Sequence, residues 1–304
     1  MLLALVIDIC FGWPDALYRR IGHPVTWIGA VVARLEALLN RGRARRAKGL
    51  AATLMVIGGV VCAAAWVQAW LPQTAVGLVL LALLAAPWLA ARSLWAHVAA
   101  VARPLARADI GAARAEVAKI VGRDPNALDA PGIARAALES LAENSSDGVV
   151  APLFWGALLG LPGLAGYKAI NTLDSMIGYR TPRYRQFGWA AARIDDAANW
   201  LPARLTALAY LAVSGRPRRV AQVLRADAGH HRSPNAGWPE AAIAAGLGVR
   251  LSGPRVYDGR AEPQPWVHAA GVDAGPADLR RGLWLYARML ALVAAGLVAI
   301  VLWP

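Results

Sequence analysis

Residues 49–91 carry no charged side chain, a run long enough to cross a bilayer twice at roughly 20 residues a pass. Pro72 divides it into 50–71 and 74–94, a pattern that predicts a transmembrane hairpin. Trp66, Trp70, Trp88 and Trp95 fall near its ends, where amphipathic rings favour the interface. A third apolar span, 283–303, follows Arg280 and Arg281 and ends on Trp303 and Pro304. Two weaker segments lie between. Residues 149–166 are apolar but interrupted by Pro152, Pro162 and four glycines, and 201–213 are short and include Arg204. Each either crosses the bilayer or dips into it as a broken helix lining a protein cavity, where irregular backbone is tolerated.

The intervening polar stretches are mostly helical by pattern. In the segment 92–147, Ile110, Ala113, Val117, Ile120 and Val121 recur at helical spacing, leaving Arg114 and Lys119 on the wet side. Asp129 is an expected N-cap with Pro131 in the first turn of a helix running to about Glu143. Residues 216–282 read as a loop segment, with Pro and Gly concentrated in 259–275 and strand signals confined to a hairpin across 249–257. The expectation is a single all-α integral membrane domain over 1–304, with four to five transmembrane or re-entrant helices.

Composition agrees with that pattern. Hydrophobic residues are 58% and charged residues 17%, against about 45–50% and 25% in a soluble domain. The net charge of +13 raises the question of nucleic acid. No zinc-finger, basic-zipper or RNP-like pattern accompanies it, so nucleic acid is not an expected partner. The densest basic run, 41–48, abuts the long apolar stretch and reads as a positive-inside anchor to the lipid bilayer. Residues 1–48 carry eight basic residues against three acids and 216–282 ten against six, so both are expected in the cytoplasm. The hairpin returns 92–147 to the same side. A full crossing by 149–166 would put 167–198, with five basic residues against three acids, outside against that rule. Cys10 and Cys62 lie in apolar surroundings and are expected to be small buried hydrophobes with no disulfide framework.

Chemistry is concentrated between the spans. Glu139 and Glu143 lie four apart on one helical face, with Asn144 and Asp147 at the helix end before Gly148. Like charges at that spacing destabilise a helix unless a cation sits between them. Oxygen-only ligands of this kind suit Mg²⁺ carrying a phosphate, and the bland alternative is a solvated helix end. A second cluster sets Lys168, Asn171, Asp174 and Arg180 in apolar surroundings, where polar residues are costly and therefore usually functional. Asp195, Asp196 and Asn199 form another acidic group of similar shape, with salt bridging to Arg183, Arg185 and Arg193 as the competing explanation. The run 225–240, containing His230, His231, Arg232 and Asn235, is cationic and could grip phosphate or carboxylate. No P-loop, nucleophile elbow, His-Glu-x-x-His or Cys-x-x-Cys pattern is present.

Together these motifs resemble one family. They are Asp8 with Phe11-Gly-Trp-Pro14, Gly22-His-Pro-Val25 with Gly29, Glu139-Ser-Leu-Ala-Glu-Asn-Ser-Ser-Asp-Gly148, and Tyr167-Lys-Ala-Ile-Asn-Thr-Leu-Asp-Ser-Met176. Phe187-Gly-Trp-Ala190 with Asp195-Asp196 and His231-Arg-Ser-Pro-Asn-Ala-Gly-Trp-Pro-Glu240 complete the set. In this order, over nearly the full length, they resemble the CobD/CbiB cobalamin biosynthesis family of bacterial membranes. The family's commoner Gly-Asp-Pro is Gly12-Trp13-Pro14 here, and the 259–275 stretch matches none of its motifs.

The resemblance implies an adenosylcobinamide-phosphate synthase, an ATP-dependent ligase joining the corrinoid adenosylcobyric acid to an amino-alcohol phosphate through an amide. Such an enzyme would use Mg²⁺ and ATP and lie in the bacterial inner membrane as a multi-pass protein. Its active site would face the cytoplasm, and it would work as a homo-oligomer or with other corrinoid-pathway enzymes. Within the motifs, Glu139, Glu143, Asp147 and Asp174 are the expected metal ligands, with Asp195 and Asp196 as the alternative. Glu143, Asp147, Lys168, Asp174 and His231 are the catalytic candidates. Asn144, Asn171, Arg180, Arg232, Asn235 and His23 are candidates for substrate and phosphate. Two other classes stay open: a non-enzymatic AmpE-like signalling protein, which does not require the dense polar clusters, and a secondary transporter, which should show repeated halves.

Overall fold

The computed structural model describes residues 1–122, 126–257, 260–262 and 264–302. Trp303 and Pro304, expected to close the last span, lie outside them, and the 259–275 stretch lies only partly within. The fold is all-α. In chain order the helices are α1 (Leu2–Phe11), α2 (Asp15–Ile21), α3 (Pro24–Leu39), α4 (Arg45–Ala69), α5 (Ala75–Ala85), α6 (Ala91–Ala106) and α7 (Ile110–Val117). They continue as α8 (Ala130–Ser145), α9 (Ala151–Ile177), α10 (Trp189–Ala198), α11 (Trp200–Val213), α12 (Pro217–Asp227), α13 (Gly237–Leu247) and α14 (Pro276–Leu302). A π-helical turn, Ser146–Val150, lies between α8 and α9. Four described stretches are long and apolar enough to cross a bilayer: Arg45–Ala69, Ala75–Ala106, Ala130–Ile177 and Pro276–Ile300. The chain is an all-α membrane protein.

The chain forms two compact units, each assembled from discontinuous segments. The first comprises Met1–Ala91 and Asp147–Trp200, the second Arg92–Ser146 and Leu201–Pro304. In the first unit, α4 packs against α3, α9 and α10. Its core joins Ile28 and Val32 of α3, Ala52 and Val56 of α4, Leu173 and Ile177 of α9, and Phe187. Small residues let these backbones approach closely, the usual device where lipid removes much of the hydrophobic drive between helices. Gly49 is the sharpest case, since a Cβ there would lie 1.9 Å from the Phe187 carbonyl oxygen.

Helix α9 takes the broken form. Gly160 sits at φ 69°, ψ −154°, with Pro162 two residues on. The second half-helix thus begins with backbone donors that have no partner in their own chain direction. The Gln68 side chain at the end of α4 supplies one, its Oε1 accepting from Leu161 N–H at 2.7 Å. Asp8 does the same for α6: buried in the apolar α1, it accepts from Ala91 N–H at 2.7 Å. Cys10 and Cys62, expected to be buried, are both exposed. An apolar face of a membrane helix can point at lipid, so apolar surroundings in sequence do not imply burial in protein.

The second unit centres on α8, which packs against α7, α13 and α14. Asp129 caps it as expected, its carboxylate accepting from Gly132 N–H at 2.8 Å. Ile133, Leu138 and Leu141 are fully buried, and Gly282 of α14 leaves room for Leu138. The segment 216–282, read as loop, contains α12 and the almost wholly buried α13. Its strands form two short antiparallel pairs, β1 (Leu251–Ser252) with β4 (Trp266–Val267) and β2 (Arg255–Tyr257) with β3 (Arg260–Glu262). In α13 helix periodicity was invisible because, Glu240 apart, the helix is apolar and presents no polar face.

Two outcomes follow for stability. Gly160→Ala places a side chain in a conformation reserved for glycine, worth on the order of 1–3 kcal/mol, and Gln68→Ala leaves the Leu161 donor orphaned at about 1–3 kcal/mol. Each should lower the melting temperature in detergent, and the double variant should lose less than the sum. Full additivity would separate the two residues. The second outcome concerns Glu36, whose carboxylate is forked by Arg183 at 3.0 and 2.9 Å. The Arg183 hydrogen bonds hold its pKa below the usual carboxylate value. The pair therefore stabilises fully above the unfolded carboxylate pKa of about 4.3 and loses that contribution as pH falls through the lower folded value. Parent and Glu36→Gln melting temperatures should differ near neutrality and converge under acid. A difference constant with pH would assign it to packing.

Candidate functional site

In the first unit the second half of α9 presents Tyr167, Lys168, Asn171 and Asp174 on successive turns. Lys168 Nζ lies 3.5 Å from Asn171 Oδ1 and within the electrostatic reach of Asp147 and Asp195. The Tyr167 hydroxyl, fully buried, donates to Asn199 Oδ1 at 2.8 Å and lies 3.3 Å from the Asp147 carbonyl oxygen. Asp147, Asp195 and Asp174 all act electrostatically on that hydroxyl. The fold thus gathers Asp147, Lys168, Asn171, Asp174 and Asp195 from the π-turn, α9 and α10.

Asp196 lies at the margin. Burial pushes its carboxyl pKa up, against the lowering effect of Arg193, 3.3 Å away, and of Arg180. One member of this cluster, Tyr167, was not singled out in the sequence, whereas Asn199 was grouped there with Asp195 and Asp196. Tyr167 opens the second motif, but an aromatic beside a span reads as packing. Asn199, 1% exposed, has a buried Nδ2 with no hydrogen-bond partner among the described residues. It is a ready donor beside the carboxylates and Lys168.

His23 serves the fold. It caps α3, its Nδ1 accepting from Val25 N–H at 3.2 Å, and it also hydrogen-bonds the Pro87 backbone. Burial is the main cause of its lowered pKa, with Lys168 adding to it, so the ring is neutral at pH 7. The unusual Trp13 is local too, set edge-on to His23 at 5.3 Å and donating to the Gly22 carbonyl at 3.2 Å.

The second unit holds the other candidates. Glu139, 7% exposed, accepts from Ser252 N–H at 2.8 Å, and the Ser252 hydroxyl donates to Glu240 Oε2 at 2.9 Å. Glu240 Oε1 faces His231 Nε2 at 3.6 Å, while His231 Nδ1 accepts from Ser233 N–H at 3.1 Å. Both ring nitrogens of His231 thus face partners, which gives it a positioning geometry. Ser252 at φ 57° is held in the left-handed region, and its neighbours explain why. Glu240 ends a recognised motif but was not singled out, and Ser252 gave no sequence signal. Asn235 Oδ1 lies 3.5 Å from Arg204, whose guanidinium stacks over Trp238 at 4.6 Å. That accommodates the charge in the apolar α11. Arg232 is exposed on a recess it shares with His231, Ser252 and Trp266.

Glu143 and Asn144 are exposed, and Asn144 Nδ2 turns back to the Ser140 carbonyl at 3.0 Å. Between Glu143 and Asp147 the helix changes from α to π, so the stacking expected from their four-residue spacing does not carry across. Among the described residues no three His, Cys, Asp or Glu side chains form a ready metal cage.

A family model described as CobD/Cbib protein matches residues 1–286. A Rhodobacter capsulatus protein named cobalamin biosynthesis protein CobD is 59% identical over 306 residues, which covers 100% of this chain and 97% of that protein. Proteins of the same name from Rhizobium meliloti and Brucella suis are 46% and 42% identical over 283 and 309 residues. The first alignment covers 89% of this chain and 86% of the relative, the second 98% and 94%. No solved structure matches the chain.

The Ser252 junction yields a direct test. Glu139→Ala should destabilise the protein by roughly 1–3 kcal/mol, because a buried backbone donor loses its acceptor. Glu139→Gln keeps an acceptor oxygen and should cost less. Melting temperatures equal to the parent in both variants would rule out the structural role.

Proposed function

The chain belongs to the CobD/Cbib family of cobalamin biosynthesis proteins, and from that premise we propose that it is an ATP-dependent amide ligase. Its substrates are adenosylcobyric acid and aminopropanol phosphate or ethanolamine phosphate, and its product is adenosylcobinamide phosphate or its analogue. It works in the bacterial cell membrane with the ATP-using site toward the cytoplasm. What supports this reading is the first-unit cluster, a lysine set among carboxylates beside Tyr167 and Asn199 in a stretch apolar enough to span a bilayer. Charge in such a place is expensive and marks function.

A carboxylate is a poor electrophile until one oxygen becomes a leaving group. Phosphorylation by ATP provides that, the amine nitrogen then bonds to the carbonyl carbon, the C–O bond breaks, and phosphate and a proton leave. Mg²⁺, when bound, supplies charge neutralisation on the phosphoryl oxygens. Because it prefers one or two carboxylates with substrate phosphates and water, the donor set fits it without a closed protein cage. Asp147 and Asp195 would hold it, with Asp174 in support.

The chain's own groups do the positioning. The Lys168 ammonium meets phosphate oxygens as a charge-assisted donor. Asn199 Nδ2 supplies a neutral donor for a substrate oxygen. Tyr167 holds Asn199 in orientation through the bond to Oδ1. Burial strengthens each of these interactions and excludes water that would hydrolyse an activated acyl group.

Purified protein with Mg-ATP, adenosylcobyric acid and each candidate amine should form the amide, read by mass spectrometry. Asp147→Asn should fold normally, judged by its melting temperature, yet lose on the order of 10²–10³-fold in turnover, as for a removed transition-state electrostatic group. Unimpaired turnover in both Asp147→Asn and Lys168→Gln would remove this cluster from the mechanism.

A further inference from the structure

A cationic site stands apart from that acidic cluster. In the first unit, the end of α3, the start of α4 and the loop after α9 border an open recess of about 570 Å³. Glu36, Asn40, Arg41, Arg45, Pro182 and Arg183 line it. Its frame is tightly built. Asn40 donates to Glu36 Oε1 at 2.8 Å and to the Arg183 carbonyl at 3.2 Å, and Arg45 donates to Asn40 Oδ1 at 2.7 Å and to the same carbonyl. Lys48 Nζ pins the Arg41 carbonyl at 3.0 Å.

Arg183 therefore forks the Glu36 carboxylate, Arg45 acts on it electrostatically, and Arg41 lines the same recess. The exposed Arg41 guanidinium has no hydrogen-bond or ion-pair partner among the described residues. The excess charge is positive, since Arg41, Arg45 and Arg183 line the recess with Glu36 as its one carboxylate.

The location narrows the anion. Arg45 is the first residue of α4, a stretch apolar enough to span a bilayer, so the recess lies where hydrocarbon gives way to headgroups. Leu38, 68% exposed, offers an apolar surface nearby in the chain. Arg46 stacks over the exposed Trp189 ring at 3.8 Å, an aromatic and cation pair suited to the interface. We propose that this recess binds the phosphate of an anionic phospholipid headgroup, with Arg41 as the principal ligand and Arg45 and Arg183 as the framed donors. The chemistry is that of any phosphate ester, and the position beside the span selects the lipid over a soluble phosphate. Anionic headgroup binding here goes beyond a general positive-inside bias, because the cations are held in a preformed recess.

Native mass spectrometry of the full chain in detergent, with phosphatidylglycerol or phosphatidylcholine added at equal concentration, tests this. The parent should retain phosphatidylglycerol preferentially. Arg41→Gln should weaken that retention about five-fold, the usual effect of one basic residue at an anionic surface. Arg280→Gln, an exposed cation at the start of α14, should leave it unchanged. Glu36→Gln removes the competing carboxylate, frees Arg183 and should tighten retention. Equal retention of the two lipids, or equal losses in Arg41→Gln and Arg280→Gln, would overturn the site in favour of diffuse attraction. Displacement of the lipid by millimolar inorganic phosphate would overturn the lipid assignment and give the recess to a soluble phosphate.

Discussion

A bilayer offers no water to a backbone N–H or a charged side chain, so each polar group at membrane depth must find its partner in the protein. That requirement organises the first unit. A helix broken at Gly160 would leave orphan donors in hydrocarbon, and Gln68 from α4 meets one of them. Asp8, a carboxylate in an apolar helix, is placed where the first amide of α6 needs an acceptor. Trp155 Nε1 reaches the Ala198 carbonyl at 3.1 Å at the end of α10. Gln68, Asp8 and Trp155 thus each answer a backbone group near a break or a terminus.

The break also positions chemistry. By restarting at Leu161, α9 delivers Tyr167, Lys168, Asn171 and Asp174 together with Asp147, Asp195 and Asn199. Charges gathered in this way are partly withdrawn from water, which strengthens their action on one another. The second unit differs in character. Glu139, Ser252, Glu240 and His231 form a linked series, two hydrogen bonds through Ser252 and a 3.6 Å approach of His231 to Glu240. A network of that kind holds loops and strands in place, and Ser252 in a left-handed conformation is its junction. Acidic residues that look equivalent in sequence therefore differ in their neighbours, Asp147 and Asp195 acting on Lys168 and Glu139 holding Ser252.

The membrane class, the long apolar stretches and the Asp129 cap were legible because each depends on local properties. A run without charge, a turn at Pro72 and an Asp before a proline need no distant partner to be read. The chemistry-bearing segments were legible for a related reason, since polar residues in an apolar context are conspicuous. The family followed from the order of those motifs. Local pattern misled where exposure was at issue, as with Cys10 and Cys62, because apolar residues on a span can face lipid as easily as protein.

Tertiary structure decided the rest. Only the fold separates Glu139, bonded to Ser252 from 113 residues away, from Asp147, grouped with Lys168 and Tyr167. The helical spacing of Glu143 and Asp147 lost its meaning at a π-turn that no periodicity announces. The partners of His23, of His231 and of the broken α9 all come from contacts remote in sequence or from backbone geometry. Sequence determines which groups are too costly to leave unpaired. Which partner answers each one is a property of three-dimensional packing, because hydrogen bonds and ion pairs act over a few ångströms and chain separation places no limit on them.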